Sequence, residues 1–254
     1  MRNICIVAEY DGTNLKGFQK QPDPNIRTVQ GEIDKALQLI LGHEVKTIGS
    51  GRTDAGVSSE EQYINFFTDS KINAENFKLA LNTKLIPEIS IKKSFEVPES
   101  FHARYSALSR KYRFRILNSK VRSALRRNTT FHYSLELDYE LMEKAWLSLR
   151  GKHNFSPFCK SDTNRTNMFC TILDTSCYKQ DDELVFFITS DSFLRGMVRL
   201  LIGTLINIGL KKILPEDLIS ILDNQEKHKV GFSAGATGLS LIKIEYPEEI
   251  MNYE

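Results

Sequence analysis

The stretch Val45–Phe67, "VKTIGSGRTDAGVSSEEQYINFF", flanks a glycine-bearing segment with two apolar runs. Val45–Ile48 and Tyr63–Phe67 carry the β-branched and aromatic content of strands. Between them, the three glycines of "GSGRTDAGV" (Gly49–Val57) allow positive φ and close backbone approach, so this segment reads as a shaped loop rather than a helix or strand. A strand, a rigid loop and a second strand in that order need a sheet to sit in.

That sheet is legible on both sides. Arg2–Tyr10 alternates apolar and polar residues and ends at the turn Asp11-Gly12. A helix follows, with Thr28 as N-cap, a stripe of Val29, Ile33, Ala36, Leu37, Ile40 and Leu41, and Gly42 at its end. Ala74–Leu81 is a short helix and Ile89–Phe95 a strand, giving the order β-α-β-β-α-β. The second half repeats it: strand Arg110–Leu117, a helix capped by Asp138 and ended by Gly151, and a hairpin of Thr171–Tyr178 and Leu184–Thr189 around Gln180-Asp181-Asp182. Then come a long helix over Phe193–Leu210, an extra one over Pro215–Leu222 and a closing strand over Leu239–Tyr246. The expected fold is therefore α/β (α+β). Two ferredoxin-like βαββαβ subdomains, 1–104 and 105–254, would form an extended, mixed, largely antiparallel sheet flanked by helices, with a central basic cleft.

At 254 residues, 41% hydrophobic, the chain is long enough for one large domain or two smaller ones. Its start goes straight into an alternating pattern with no signal peptide, so a cytoplasmic location is expected. The longest apolar segment, Leu200–Leu210, is broken by Gly203, Thr204, Asn207 and Gly209 and falls short of the roughly 20 residues a membrane span needs. Cys5, Cys159, Cys170 and Cys177 form no C-x-x-C pair and the five histidines lack zinc spacing, so no structural metal is expected.

Net charge is only +2, but its distribution is uneven. Ser100–Leu135 contains no acidic residue and holds Arg104, Arg110, Lys111, Arg113, Arg115, Lys120, Arg122, Arg126 and Arg127, with Phe101, Tyr105, Tyr112 and Phe114 among them. Clustered cations with aromatics are the footprint of a surface that binds phosphates and stacks bases. A solvated strand edge kept soluble by charge has the same composition. Arg104, Arg110, Lys111, Arg113 and Arg115 are the candidate RNA contacts.

Three further residues each admit two readings. Asp54, beside Arg52, is either a carboxylate kept ionised for nucleophilic or base chemistry or the acceptor of an Asx-turn. Arg199, in an otherwise apolar helix with Gly196 and Gly203 on its face, needs a carboxylate, either Asp54 or some structural partner. Tyr112, in "RKYRFRI", shares a face with Phe114 and Ile116 and is either core or a platform for an unstacked base. His102 of "FHAR" lacks a nucleophile nearby in sequence, and Lys152-His153-Asn154 reads as a helix C-terminal cation group. No Walker A loop, dinucleotide fingerprint or zinc-deaminase signature is present.

Nine short motifs run in register from residue 4 to about 246: "YDGT" (Tyr10–Thr13), "GFQKQP" (Gly17–Pro22), "TVQ" (Thr28–Gln30), "GRTDAGV", "ALN" (Ala80–Asn82), "FHAR", "RKYRF", "FLRGMVR" (Phe193–Arg199) and "GLSL" (Gly238–Leu241). Together they resemble the tRNA pseudouridine synthase A family. The resemblance implies that Asp54 is the catalytic aspartate and that Arg52 helps displace and replace a flipped base. It also implies that Tyr112 stacks on the target uracil, Arg199 pairs with Asp54, and Leu239 lines the pocket. The implied reaction breaks the glycosidic bond of a uridine, rotates the uracil and rejoins it through C5 without metal or cofactor, in a homodimer acting on the anticodon arm of tRNA. The chain departs from the family pattern at Ser58-Ser59, where His-Ala is usual, at Phe18, where Trp is usual, and at Asn154, where Asp is usual. Glu60 and Glu61 add negative charge beside a site that would meet phosphates. That charge favours one alternative, a tRNA-binding or tRNA-folding module without catalysis; a further alternative is a synthase with other RNA targets.

Overall fold

The computed structural model describes residues 1–160 and 166–251. The chain divides into two compact units, one of Met1–Arg110 together with the chain from Ser240, the other of Lys111–Leu239. In chain order the elements are β1 (Arg2–Tyr10), α1 (Val29–Leu41), β2 (Ile48–Gly49), β3 (Ser58–Thr68), α2 (Phe77–Asn82), β4 (Ile89–Val97) and β5 (Ser109–Asn118). Then follow β6 (Phe131–Tyr133), α3 (Tyr139–Leu147), β7 (Gly151–Asn154), β8 (Phe169–Gln180), β9 (Glu183–Ser190), α4 (Met197–Gly209), α5 (Asp217–Asp223), β10 (Leu239–Glu245) and α6 (Glu248–Met251). The architecture is mixed α/β with mostly antiparallel strands. Among the described residues no helix is long and apolar enough to cross a membrane.

In the first unit β1 lies between β4 and β3, antiparallel to both, and β2 pairs antiparallel with β3, which is the ferredoxin-like order 4-1-3-2. The alternation of β1 sends Ile4, Ile6 and Ala8 into a core shared with Val29, Ile33, Ala36 and Leu37 of α1, Ile64 and Phe66 of β3, and Phe77 and Leu81 of α2. The Thr28 hydroxyl accepts from Gly31 N, and Gly42 closes α1 in the left-handed conformation at φ 77°. Asn82, of "ALN", clamps α2 to β4: its amide donates to Ile91 O at 2.9 Å and its carbonyl accepts from Ile91 N at 2.8 Å.

The strand counted with the second half in the sequence reading, β10, pairs in parallel with β3 at Ser58–Ser59. Ser59 donates to Leu241 O at 3.2 Å, and Glu245 accepts from Leu108 N at 2.8 Å and from the Ser109 hydroxyl at 2.8 Å. These bonds attach β10 to the first unit.

In the second unit β9 lies between β5 and β8, and β7 pairs antiparallel with β8. Its core centres on Trp146 of α3, packed edge-on against Phe186 with ring centroids 5.5 Å apart and donating its indole N–H to Phe187 O at 2.9 Å. Asp138 caps α3 through Leu141 N as expected.

Several boundaries differ from the sequence reading. β2 is only Ile48–Gly49, and β3 opens at Ser58, five residues ahead of Tyr63, because the polar run Ser58–Glu61 is held by β1 and β10 rather than by apolar burial. The long helix starts at Met197, not Phe193, since Gly196 sits at φ 72° and breaks helical continuity just before it. Gly151, at φ 120°, opens β7 instead of capping α3, which puts Lys152, His153 and Asn154 in a strand and not at a helix end. The extra helix runs Asp217–Asp223.

Candidate active site

The glycine-bearing loop after β2 is fixed from below by the segment that follows β1. The Tyr10 hydroxyl lies 2.8 Å from the Thr53 hydroxyl, Phe18 N donates to Thr53 O at 3.1 Å, and Gly56 N donates to Leu15 O at 3.3 Å. Gly12 N donates to the Ser58 hydroxyl at 3.1 Å. The two backbones touch so closely here that a Cβ on Gly12 would stand 2.1 Å from Val57 O, which is why "YDGT" carries a glycine. Gln30, of "TVQ", accepts from Lys20 N and donates to Thr47 O, both at 3.0 Å, tying "GFQKQP" to the approach of β2. Of the three glycines in the loop, Gly56 takes positive φ, at 82°, and Gly49 gives the close approach, since a Cβ there would run into the Phe18 ring; Gly51 does neither.

From the other side, Ser50 N donates to Tyr63 O at 2.9 Å, the Ser50 hydroxyl donates to Gln62 Oε1 at 2.8 Å, and Gln62 Nε2 donates to Gly51 O at 2.6 Å. Val57 N closes the turn on Asp54 O at 3.1 Å. The consequence is a backbone held at both flanks. Thr53 is buried, Asp54 is half-buried and Arg52 is exposed at the head of this stiff turn.

The "FHAR" segment is anchored by a buried asparagine pair. Asn65 Nδ2 donates to Asn3 Oδ1 at 2.9 Å, Asn3 donates to Phe101 O at 2.9 Å, and Asn65 Oδ1 accepts from Ala103 N at 2.9 Å. Tyr246 adds a bond to Ala103 O at 2.7 Å, and burial pushes its phenol up. Above that anchor, His102 Nδ1 accepts from Arg104 N and Tyr105 N, leaving the neutral ring's proton on Nε2. The His102 and Tyr105 rings lie 4.3 Å apart, and the exposed Arg104 guanidinium lies over the exposed Tyr105 ring at 5.6 Å. This is a cation–aromatic surface suited to bases and phosphates.

In the second unit Tyr112 is half-buried, its ring edge-on to Phe193 at 4.9 Å, so "RKYRF" meets "FLRGMVR" directly. Arg199, also half-buried, donates from Nε to Ala234 O at 2.7 Å, and Ala234 N donates back to Arg199 O at 3.0 Å. The chain at 231–234 runs along this face of α4: Gly231 N bonds the Thr204 hydroxyl at 2.9 Å, and Phe232 O would lie 1.7 Å from a Cβ on Gly203. The close backbone approach expected at Gly203 is thus present. Leu239 is buried at the head of β10.

The basic window is less uniformly available than its composition implies. Phe101 and Phe114 are core residues. Arg115 is bound by both oxygens of Glu183, with Nη2 to Oε2 at 3.0 Å, and Arg126 grips Asp182 at 2.8 and 2.9 Å. The Arg126 fork holds the Asp182 carboxyl below its ordinary range. Asp182 lies in the β8–β9 turn and Glu183 opens β9, and both border a pocket of about 420 Å³ that Arg113 and Arg115 also line. Lys111 Nζ lies over the Phe187 ring at 5.2 Å, and Arg113 is half-buried. Arg110 is directed at the protein: Nη2 donates to Arg104 O at 2.6 Å and Ser50 O at 3.2 Å, and Nη1 to Ala107 O at 3.3 Å. Arg104, Lys120 and Arg122 are exposed.

Sequence reasoning missed Gln62, Asn3 and Asn65. A signal existed for the first, since Gln62 stands in period-2 register with Ile64 and Phe66, and a polar residue on a buried face needs designated partners.

A family profile described as tRNA pseudouridine synthase matches residues 6–106 and 145–247. The chain is 41% identical over 246 residues to tRNA pseudouridine synthase A of Acetivibrio thermocellus, covering 97% of this chain and 100% of that protein. It is 42% identical, with the same coverage of both chains, to tRNA pseudouridine synthase A of a Thermoanaerobacter species. It is 42% identical to tRNA pseudouridine synthase A 2 of Clostridium tetani, covering 96% of this chain and 99% of that one. On identity of this level over nearly its whole length, the chain belongs to the tRNA pseudouridine synthase family.

Proposed function

We propose that the protein isomerises uridine to pseudouridine in the anticodon stem-loop of tRNA, with Asp54 as the catalytic carboxylate. In that reaction the N1–C1′ bond breaks, the uracil turns, C5–C1′ forms, and C5 gives up its hydrogen to solvent while N1 takes a proton. A base in an RNA helix must leave its stack before its sugar can be reached, which costs a few kcal/mol. Arg52, exposed beside Asp54, fills the gap, Tyr112 receives the ring, Leu239 lines its pocket and Arg199 serves as the counter-ion of the carboxylate. Cleavage builds positive charge on the sugar, which a fixed carboxylate stabilises. Arg104, Lys111 and Arg113 are the RNA contacts in this reading, and the working state is a cytoplasmic homodimer.

The observation that carries the reading is the Asp54 loop itself. Its backbone is bonded at Ser50, Gly51, Thr53 and Gly56 and Asp54 itself is half-buried, which supports the preorganisation of a charged group.

The test is release of tritium from C5-labelled uridine in unmodified tRNA by wild type and Asp54→Asn, with melting temperatures measured on both. Release by wild type that vanishes in the equally stable variant is the expected result. No release by wild type would remove the proposal. Mapping of the modified positions decides the target uridines, and sedimentation equilibrium the dimer.

A further inference from the structure

We infer that Arg110 is a positioning residue for the Asp54 loop rather than a phosphate contact, an inference that rests on the functional reading above. Three observations carry it. First, the guanidinium donates to the carbonyls of Ser50, Arg104 and Ala107, so at least three of its five N–H directions are turned onto backbone. Second, Ser50 is the residue from which the loop departs. It is 1% exposed, its N–H and hydroxyl are bound by Tyr63 O and Gln62, and Arg110 satisfies its carbonyl. The path from that peptide to Asp54 is four residues, fixed again at Gly51 O and at both ends of Thr53. Third, the same guanidinium holds Arg104 O and Ala107 O. One planar group therefore sets the start of the Asp54 loop and the backbone under the exposed Arg104–Tyr105 surface in a common frame.

The chemistry of the side chain makes the inference sharp. A guanidinium is a rigid fork that reaches several acceptors at once, whereas an ammonium is a point charge on a flexible stem. Were Arg110 an electrostatic contact to RNA, lysine would largely replace it. As a brace across three carbonyls, lysine would not.

The experiment compares wild type, Arg110→Lys and Arg110→Ala in single-turnover tritium release at saturating tRNA, with tRNA dissociation constants measured across a salt series. Wild-type release is the control for the reading beneath: its absence sinks that reading and leaves Arg110 out of question. Given wild-type activity, both variants should lose about fivefold or more in the saturating rate, as misplacing a catalytic group does. Their dissociation constants and salt slopes should match wild type. A smaller loss in Arg110→Lys, or a salt slope lowered by about one released counterion, would overturn the inference in favour of a phosphate contact. If Arg110→Ala does not fold, Arg110→Lys carries the test; failure of both to fold would make Arg110 a residue of the fold and overturn it as well.

Discussion

The Tyr10 hydroxyl and the Thr53 hydroxyl meet at 2.8 Å inside the protein, one residue before Asp54. Both residues are buried, at 3% and 7% exposure, so the pair is formed away from bulk solvent. Tyr10→Phe should cost about 1–2 kcal/mol, the usual penalty for leaving a buried hydroxyl without its partner. Thr53→Val should cost a similar amount, and the double variant less than the sum, with a coupling of about 1 kcal/mol. Urea unfolding of the four proteins checks this through midpoints at constant slope. Strict additivity would mean the two hydroxyls do not depend on each other.

A second prediction concerns α4. A Cβ on Gly203 would stand 1.7 Å from Phe232 O, and Gly231 packs on the same turn, where its own Cβ would lie 2.4 Å from Gly203 O. Backbone cannot yield as a flexible side chain does, so Gly203→Ala should destabilise the protein by about 3 kcal/mol or leave it insoluble. Because Arg199 O and Nε bond the same passing chain at Ala234, the activity of any folded fraction should fall too. A melting temperature within about a degree of wild type would refute the packing argument.

Much of this was legible because the local signals agreed with the tertiary ones. Thr28 and Gly42 bound a helix whose stripe is buried, Asp138 caps the helix predicted after it, and the hairpin turn falls at Asp181, at φ 52°. What could not be read was set by partners remote in sequence. Ser58–Glu61 carries no apolar pattern and is a strand only because β1 and β10 pair with it. Gly151–Asn154 is four residues long and is extended because β8 lies beside it. For the proposed site, the motifs pointed to Arg52, Asp54, Tyr112 and Arg199 by residue type. The supports did not show: Arg110 bonds a carbonyl 60 residues away and Arg115 a carboxylate 68 residues away. A window counted as nine cations therefore contains one brace and two ion-paired side chains.

That pairing yields a third prediction. Glu183 is 12% exposed and holds Arg115, with Arg126 also within 3.7 Å. Glu183→Gln keeps the shape, removes the charge and returns Arg115 to the solvent-facing potential. Stability should drop by about 1 kcal/mol, since the pair is only partly screened. Affinity for tRNA should rise at low salt, and the slope of log affinity against log salt should steepen by about one. An unchanged slope would place the β8–β9 turn outside the RNA-contacting surface.

The fourth prediction follows from Asp34, half-buried on α1, whose carboxylate accepts from the Thr47 hydroxyl at 2.6 Å and lies 3.7 Å from Lys20. Burial pushes its pKa above the ordinary 3.8, and the Thr47 bond and Lys20 only partly oppose it. The sign follows from linkage. A folded-state pKa above the unfolded one means the folded chain binds this proton more tightly. The contribution of Asp34 is then most favourable below pH 3.8 and is lost as pH rises through the raised folded value. Asp34→Asn cannot titrate, yet its amide oxygen still accepts from Thr47. The stability of wild type relative to Asp34→Asn should therefore decline as pH rises from below 3.8 through the raised folded value and stay flat beyond, measured by denaturant midpoints at each pH. A wild type that gains on the variant over that range would mean Thr47 and Lys20 outweigh burial, and Asp34 would then be a net anchor for the approach to the Asp54 loop rather than a tolerated charge.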